Sequence, residues 1–165
     1  MANAMDSLPR SNVAASASRT DVRRAHHVSR RAQIDLWLAL SGLLSGLLAL
    51  PLAQSTWHGP EVAAVLVVSA TALFAGQRWA IALIVVADLF LLPTVWPRAF
   101  LEGDLISRVV ALATLAAIVP GVLAMRRAAT VLVVMAGQRR SPVLCRRVHT
   151  GLMAIGVIAL VVPLL

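Results

Sequence analysis

Residues 79–96 read WAIALIVVADLFLLPTVW, and this stretch decides the fold. Its only ionisable side chain is Asp88, and a tryptophan stands at each end. Trp79 and Trp96 lie seventeen residues apart, about 26 Å of helix at a rise of 1.5 Å per residue. That length approaches the hydrocarbon thickness of a bilayer, about 30 Å. Indole rings favour both membrane–water interfaces. An apolar helix framed in this way reads as a membrane span.

Immediately upstream, Gly76-Gln77-Arg78 supplies a turn glycine and a charge inside an apolar run that extends from Val62 to Pro97. The run is too long for one crossing, so it reads as a tight helical hairpin with spans at 61–76 and 79–97. A further span is expected at 36–53, which holds eighteen residues without a charge. Others are expected at 105–125 and, shortest of all, at 150–165. Arg126-Arg127 limits the fourth span, because a register of 118–137 would place both arginines near mid-membrane at roughly 2.5–3.5 kcal/mol each. The ten residues left at 128–137 cannot cross, so they read as an interfacial or buried half-helix between two Arg pairs. Pro142 then ends whatever helix precedes it.

The expected fold is therefore all-α, a polytopic bundle of about five transmembrane helices at 34–165. Residues 1–33 are small, polar and basic, and read as a disordered cytoplasmic tail. Arg30-Arg31 precedes an apolar run, as in a twin-arginine export signal. Gln33 and Asp35, however, stand where such signals prefer an apolar and a basic residue.

Composition agrees with this reading. Hydrophobic residues make up 59% of the chain and charged residues 13%, against roughly 45–50% and about 25% in soluble domains. Too little polar surface remains to cover a water-soluble globule. The net charge is +8, which in a soluble protein points to nucleic acid. Here the arginines flank apolar runs, so orientation and anionic lipid account for them and no nucleic-acid partner is expected. All fifteen basic residues are Arg, which we read as the coding bias of a GC-rich, bacterial genome.

Arginine placement sets the orientation. Thirteen arginines lie before span one, in the hairpin turn at Arg78, and after span four. Only Arg98 and Arg108 lie on the other side. The positive-inside rule then places the N-terminus in the cytoplasm and the C-terminus outside. Trp37 and Trp79 become anchors at the inner interface, and Trp57 and Trp96 anchors at the outer one. Arg126, Arg127, Arg139, Arg140, Arg146 and Arg147 are expected to contact anionic headgroups.

Asp88 is the chief candidate functional residue. A carboxyl group at mid-span must face protein or water, or hold a proton. Pro93 removes a backbone donor and frees the Leu89 carbonyl beside it. Ser45, Ser69 and Thr114 lie at similar depth in their own spans and would form a polar layer with Asp88 if those faces converge. The alternative is that each hydroxyl bonds its own helix backbone. Asp88 itself is then either an ion- or proton-handling group or a packing residue. Gly42 and Gly46 form a Gly-x-x-x-Gly pair that lets helices approach closely, within the chain in preference to between copies. Pro51 and Pro120-Gly121 are expected to kink spans one and four. Asp104 is placed to cap span four or to pair with Arg108.

Other chemistry finds no support in the residues. Cys145 is the sole cysteine, so neither an intramolecular disulfide nor a Cys-Cys metal site is possible. His26, His27, His58 and His149 are scattered outside the spans, and neither a metal site nor a cofactor is expected. No Ser-His-Asp or Cys-His grouping and no phosphate-cradling glycine loop is present. The leading expectation is a non-enzymatic accessory or scaffold subunit of a membrane complex, acting with a protein partner or as a homo-oligomer in a bacterial inner membrane. The alternative is a small ion- or proton-coupled transporter or channel subunit that uses Asp88. An intramembrane enzyme ranks third.

Overall fold

A computed structural model describes residues 32–51, 59–101 and 104–164. Among the described residues six α-helices follow one another: α1 (Ala32–Pro51), α2 (Gly59–Phe74), α3 (Ala80–Phe100), α4 (Leu105–Leu123), α5 (Met125–Met135) and α6 (Pro142–Val161). A short 3-10 turn, Val162–Leu164, follows α6, and no strand occurs among the described residues. Helices α1, α3, α4 and α6 are long and apolar enough to cross a membrane, while α2 is apolar but shorter. The chain is a polytopic helical membrane protein. Most of the tail at 1–33, and Trp57 with it, lies outside the described residues.

Helix α3 occupies the centre. It packs against α2, α4, α5 and α6, and touches α1 through Ile84 and Asp88. Side-chain size is sorted in an unusual sense for a globular protein. On α1, Ala39, Ser45 and Ala49 point inward, while Leu36, Trp37, Leu40, Leu44 and Leu47 face out. On α4, Ala111, Thr114, Ala117 and Gly121 point inward, while Leu105, Ile106, Val109, Leu112 and Leu123 face out. Water would penalise such apolar stripes. Lipid does not, and small inward residues let helices come close enough to gain dispersion energy.

The turns have identifiable causes. Helix α2 ends at Gly76, whose φ of 83° lies in the left-handed region. Its N–H donates to the Leu73 carbonyl (2.9 Å), and that of Gln77 donates to Ala72 (3.0 Å), which together make a Schellman cap. Helix α5 ends in the same way. Gly137 has φ 70°, and the N–H groups of Gly137 and Gln138 donate to Val134 and Val133. The two caps share the tetrapeptide Ala-Gly-Gln-Arg, at Ala75–Arg78 and Ala136–Arg139. Asp104 caps α4 by accepting from the Ser107 N–H at 3.1 Å. Helices α4 and α5 are separated only by Ala124.

Three boundaries depart from the sequence reading. Helix α1 starts at Ala32, four residues before the expected 36 and within the tail expected at 1–33. The last long helix starts at Pro142, eight residues before the expected 150. Proline at the first helical position lacks only an N–H that would have no partner there, so Pro142 opens α6. It does not end the preceding helix as expected, because the Gly137 cap has already stopped α5 at Met135. The segment expected at 128–137 begins earlier, at Met125, and buries Met125, Ala128, Ala129 and Val133 on one face. Helix α5 lies against α3 and α6 on that face.

The orientation is open to a direct test. Reporter fusions after Gln138 should read cytoplasmic, and those after Gly59 and Leu165 should read outside. A cytoplasmic reading at Leu165 would mean that α6 does not cross.

Candidate intramembrane polar site

Asp88 lies on the inward face of α3, 1% exposed, flanked by the buried Ile84, Val85, Leu91 and Leu92. Two helices close around its carboxyl group. From α1, the Ser45 hydroxyl donates to Asp88 Oδ1 at 3.2 Å, and lies near the Gly42 carbonyl at 3.1 Å as well. From α4, Gly121 stands so close that a Cβ built on it would collide with Asp88 Oδ2. Asp88 Oδ2 has no hydrogen-bond partner among the described residues. The carboxyl group thus joins α1, α3 and α4 at one point, with a serine on one oxygen and a glycine backbone against the other.

The other expected members of the polar layer behave differently from one another. Ser45, Ser69 and Thr114 are all fully buried. Only Ser45 is in hydrogen-bond contact with Asp88. Thr114 donates to the Val110 carbonyl of its own helix at 2.7 Å, which satisfies its single proton locally. Ser69 Oγ finds no partner among the described residues. Gly121 was legible only as part of a kink; its role against Asp88 depends on how α3 and α4 pack. Pro93 lies within α3, so the Leu89 carbonyl lacks its usual donor four residues on.

The Gly42 and Gly46 pair serves packing within the chain. A Cβ on Gly42 would meet Ile84 of α3 at 3.3 Å, and one on Gly46 would meet the Ala63 carbonyl and Leu66 Cβ of α2 at 3.1 Å. The pair therefore seats α1 on both neighbours. At the helix ends, Trp37 is 63% exposed and Trp79 is at the margin of exposure. Trp96 packs against Phe100 in a tilted arrangement, with ring centroids 4.3 Å apart and planes inclined at 49°.

The basic residues divide into two groups. Arg126, Arg139, Arg140, Arg146 and Arg147 are exposed. Arg127 is not simply available to headgroups, because its Nη2 donates to Asp35 Oδ1 of α1 at 2.6 Å. Sequence spacing gave no hint of this pair, whose members are 92 positions apart. Both side chains are about one-third exposed, so solvent screens the pair. Arg127→Ala should cost no more than about 1 kcal/mol in detergent unfolding. A loss of several kcal/mol would show that the pair fixes α1 to α5 far more firmly than its exposure allows.

No group of three or more His, Cys, Asp or Glu side chains that could hold a metal ion occurs among the described residues. Compared with protein-family models, curated proteins and solved structures, the chain matches none.

Proposed function

We propose that this protein is a non-enzymatic subunit of a membrane complex, a small multi-pass scaffold that presents its outer helix faces to lipid and to a protein partner or a second copy. The observation that carries this reading is the enclosure of Asp88 between Ser45 and Gly121. A carboxyl group held in this way acts as a strut among three helices. The long apolar faces of α1, α4 and α6 leave ample surface for a partner within the bilayer. The all-Arg basic composition favours a bacterial inner membrane, and the arginine distribution favours an orientation with the basic segments on the cytoplasmic, anionic side. Purification in mild detergent, with mass spectrometry of co-eluting proteins, tests the proposal. A reproducible partner or homo-oligomer supports it, and isolation as a lone species with its own activity contradicts it.

A second reading, a small ion- or proton-coupled transporter or channel subunit, draws on the bare Asp88 Oδ2 and Ser69 Oγ. Buried oxygens without partners are costly, and a bound cation or proton would satisfy them. Flux into proteoliposomes that Asp88→Asn abolishes, with folding intact, would favour this reading over the scaffold. Absent flux, or flux unchanged by the substitution, would remove it.

A further inference from the structure

We propose that the cleft between α5 and α6 is a discrete binding site for a phosphate-bearing anion, held by Arg126, Arg146 and His149. The cleft has a volume of about 410 Å³ and is lined by Arg126, Thr130, Pro142, Cys145, Arg146 and His149. That volume falls in the range of small-ligand sites, roughly 300–1,000 Å³. Two guanidinium groups and an imidazole share the cleft, and no acidic side chain among the described residues lines it.

Three observations separate this cleft from a diffuse basic surface. First, no acid among the described residues pairs with Arg126 or Arg146, whereas the adjacent Arg127 is engaged by Asp35. Their donors are free for an outside anion, and the planar guanidinium fork matches phosphate oxygens. Second, His149 Nδ1 is enclosed and has no hydrogen-bond partner among the described residues. A ring nitrogen can donate to an anionic oxygen, and His149 lines the cleft beside both arginines, so a turn of its ring would bring that nitrogen to a bound anion. Third, Pro142 brings the first turn of α6 to the cleft wall, and Ser141 provides no side-chain cap there. The positive end of the helix dipole adds to the same field. Thr130 donates its hydroxyl proton to the Arg126 carbonyl, which leaves the arginines and the histidine as the donors.

The shared chemistry is a phosphate group, carried by a lipid headgroup or by a soluble anion. In the orientation set by the arginine distribution, the cleft opens at the cytoplasmic headgroup level, where both sources are present. The site does not depend on the role assigned to Asp88, so the two proposals can fail separately.

Full-length protein in nanodiscs tests this site. In neutral phosphatidylcholine discs, inorganic phosphate is titrated while the ¹⁵N-labelled histidine signals are followed. His149 is assigned by the signal lost in His149→Gln. In a second arm, the discs carry a graded fraction of phosphatidic acid and no free phosphate. The site predicts a saturable shift of His149 in at least one arm. Saturation by phosphate identifies a soluble anion as sufficient, and saturation by phosphatidic acid alone identifies a headgroup.

Each arginine contact should be worth about tenfold or more in affinity, so Arg126→Ala/Arg146→Ala should weaken binding by roughly a hundredfold. The control Arg139→Ala/Arg140→Ala removes the same charge from outside the cleft. It should weaken binding by no more than about threefold, because exposed charges at a distance are screened by salt. Equal losses in the two double variants would overturn the site in favour of general electrostatic attraction. A His149 signal that moves in neither arm would overturn it altogether.

Discussion

Replacing Gly121 by alanine should displace the Asp88 carboxyl group and destabilise the bundle. The new methyl would overlap Asp88 Oδ2 and press on Cγ, 3.0 Å from the built Cβ. The carboxyl group must then turn away, and the turn breaks its contact with Ser45. Overpacking of this kind costs about 1–3 kcal/mol. Loss of a hydrogen bond to a buried carboxyl group adds to that. Better helix propensity for Ala returns up to about 1 kcal/mol. The net loss should therefore be of the order of 1–3 kcal/mol in reversible detergent unfolding. The mechanism has a sharper signature than its size. Asp88→Ala removes the obstructing oxygen, so adding Gly121→Ala to that background should cost little or even stabilise. A coupling of about 0.5–3 kcal/mol between the two positions is expected. Strictly additive losses would mean that the two residues do not meet.

The second large effect is expected at the seat of α1. At Gly46 the obstructing neighbours include the Ala63 backbone carbonyl, 3.1 Å from a built Cβ. Backbone in a packed helix cannot step aside, so α1 itself must shift. Gly46→Ala should cost about 1–3 kcal/mol, and Gly46→Leu more. At Gly42 the obstruction consists of the terminal methyl and methylene groups of Ile84, at 3.3–3.4 Å. These can adjust by a few tenths of an ångström, so Gly42→Ala should be much milder. The ordering is the test, because the two glycines sit in the same motif four residues apart. If Gly42→Ala destabilised as much as Gly46→Ala, the motif would be acting through another surface, such as a contact between copies.

Much of this architecture was legible from residue types alone, because a bilayer imposes simple rules. Length, charge exclusion and tryptophan placement located the bulk of α1, α3 and α4, and the Arg126-Arg127 limit separated α4 from α5. Charge exclusion misplaced the start of α6, whose first turns carry Arg146 and Arg147. Gly76 was legible as a turn because a left-handed residue after an apolar run is a local property. Pro142 was misread as a helix breaker, since a proline can equally stand at the first position of a helix, and the stop of α5 lies instead at Gly137. The polar site was only half legible. Asp88 announced itself as the one acid at mid-span, and Ser45 by its depth. Which hydroxyl would reach Asp88 depended on helix rotation, which no local pattern encodes. Thr114 has the right depth and turns back to its own helix. Gly121 and the Asp35–Arg127 pair are properties of packing between segments far apart in sequence, and nothing near them in the chain signals either one.

The enclosure of Asp88 is the centre of the account, and water access measures it most directly. Asp88→Cys in a Cys145→Ser background leaves one thiol in the chain. Treatment of intact membranes with a membrane-impermeant maleimide should leave that thiol unmodified from both sides. A control with Gln77→Cys, in the exposed hairpin turn, should label from the side that the turn faces. A closed strut predicts this contrast. Labelling at position 88 at a rate approaching that of the control would show a water-filled path to mid-membrane, contradict the strut, and make Asp88 a working group in transport.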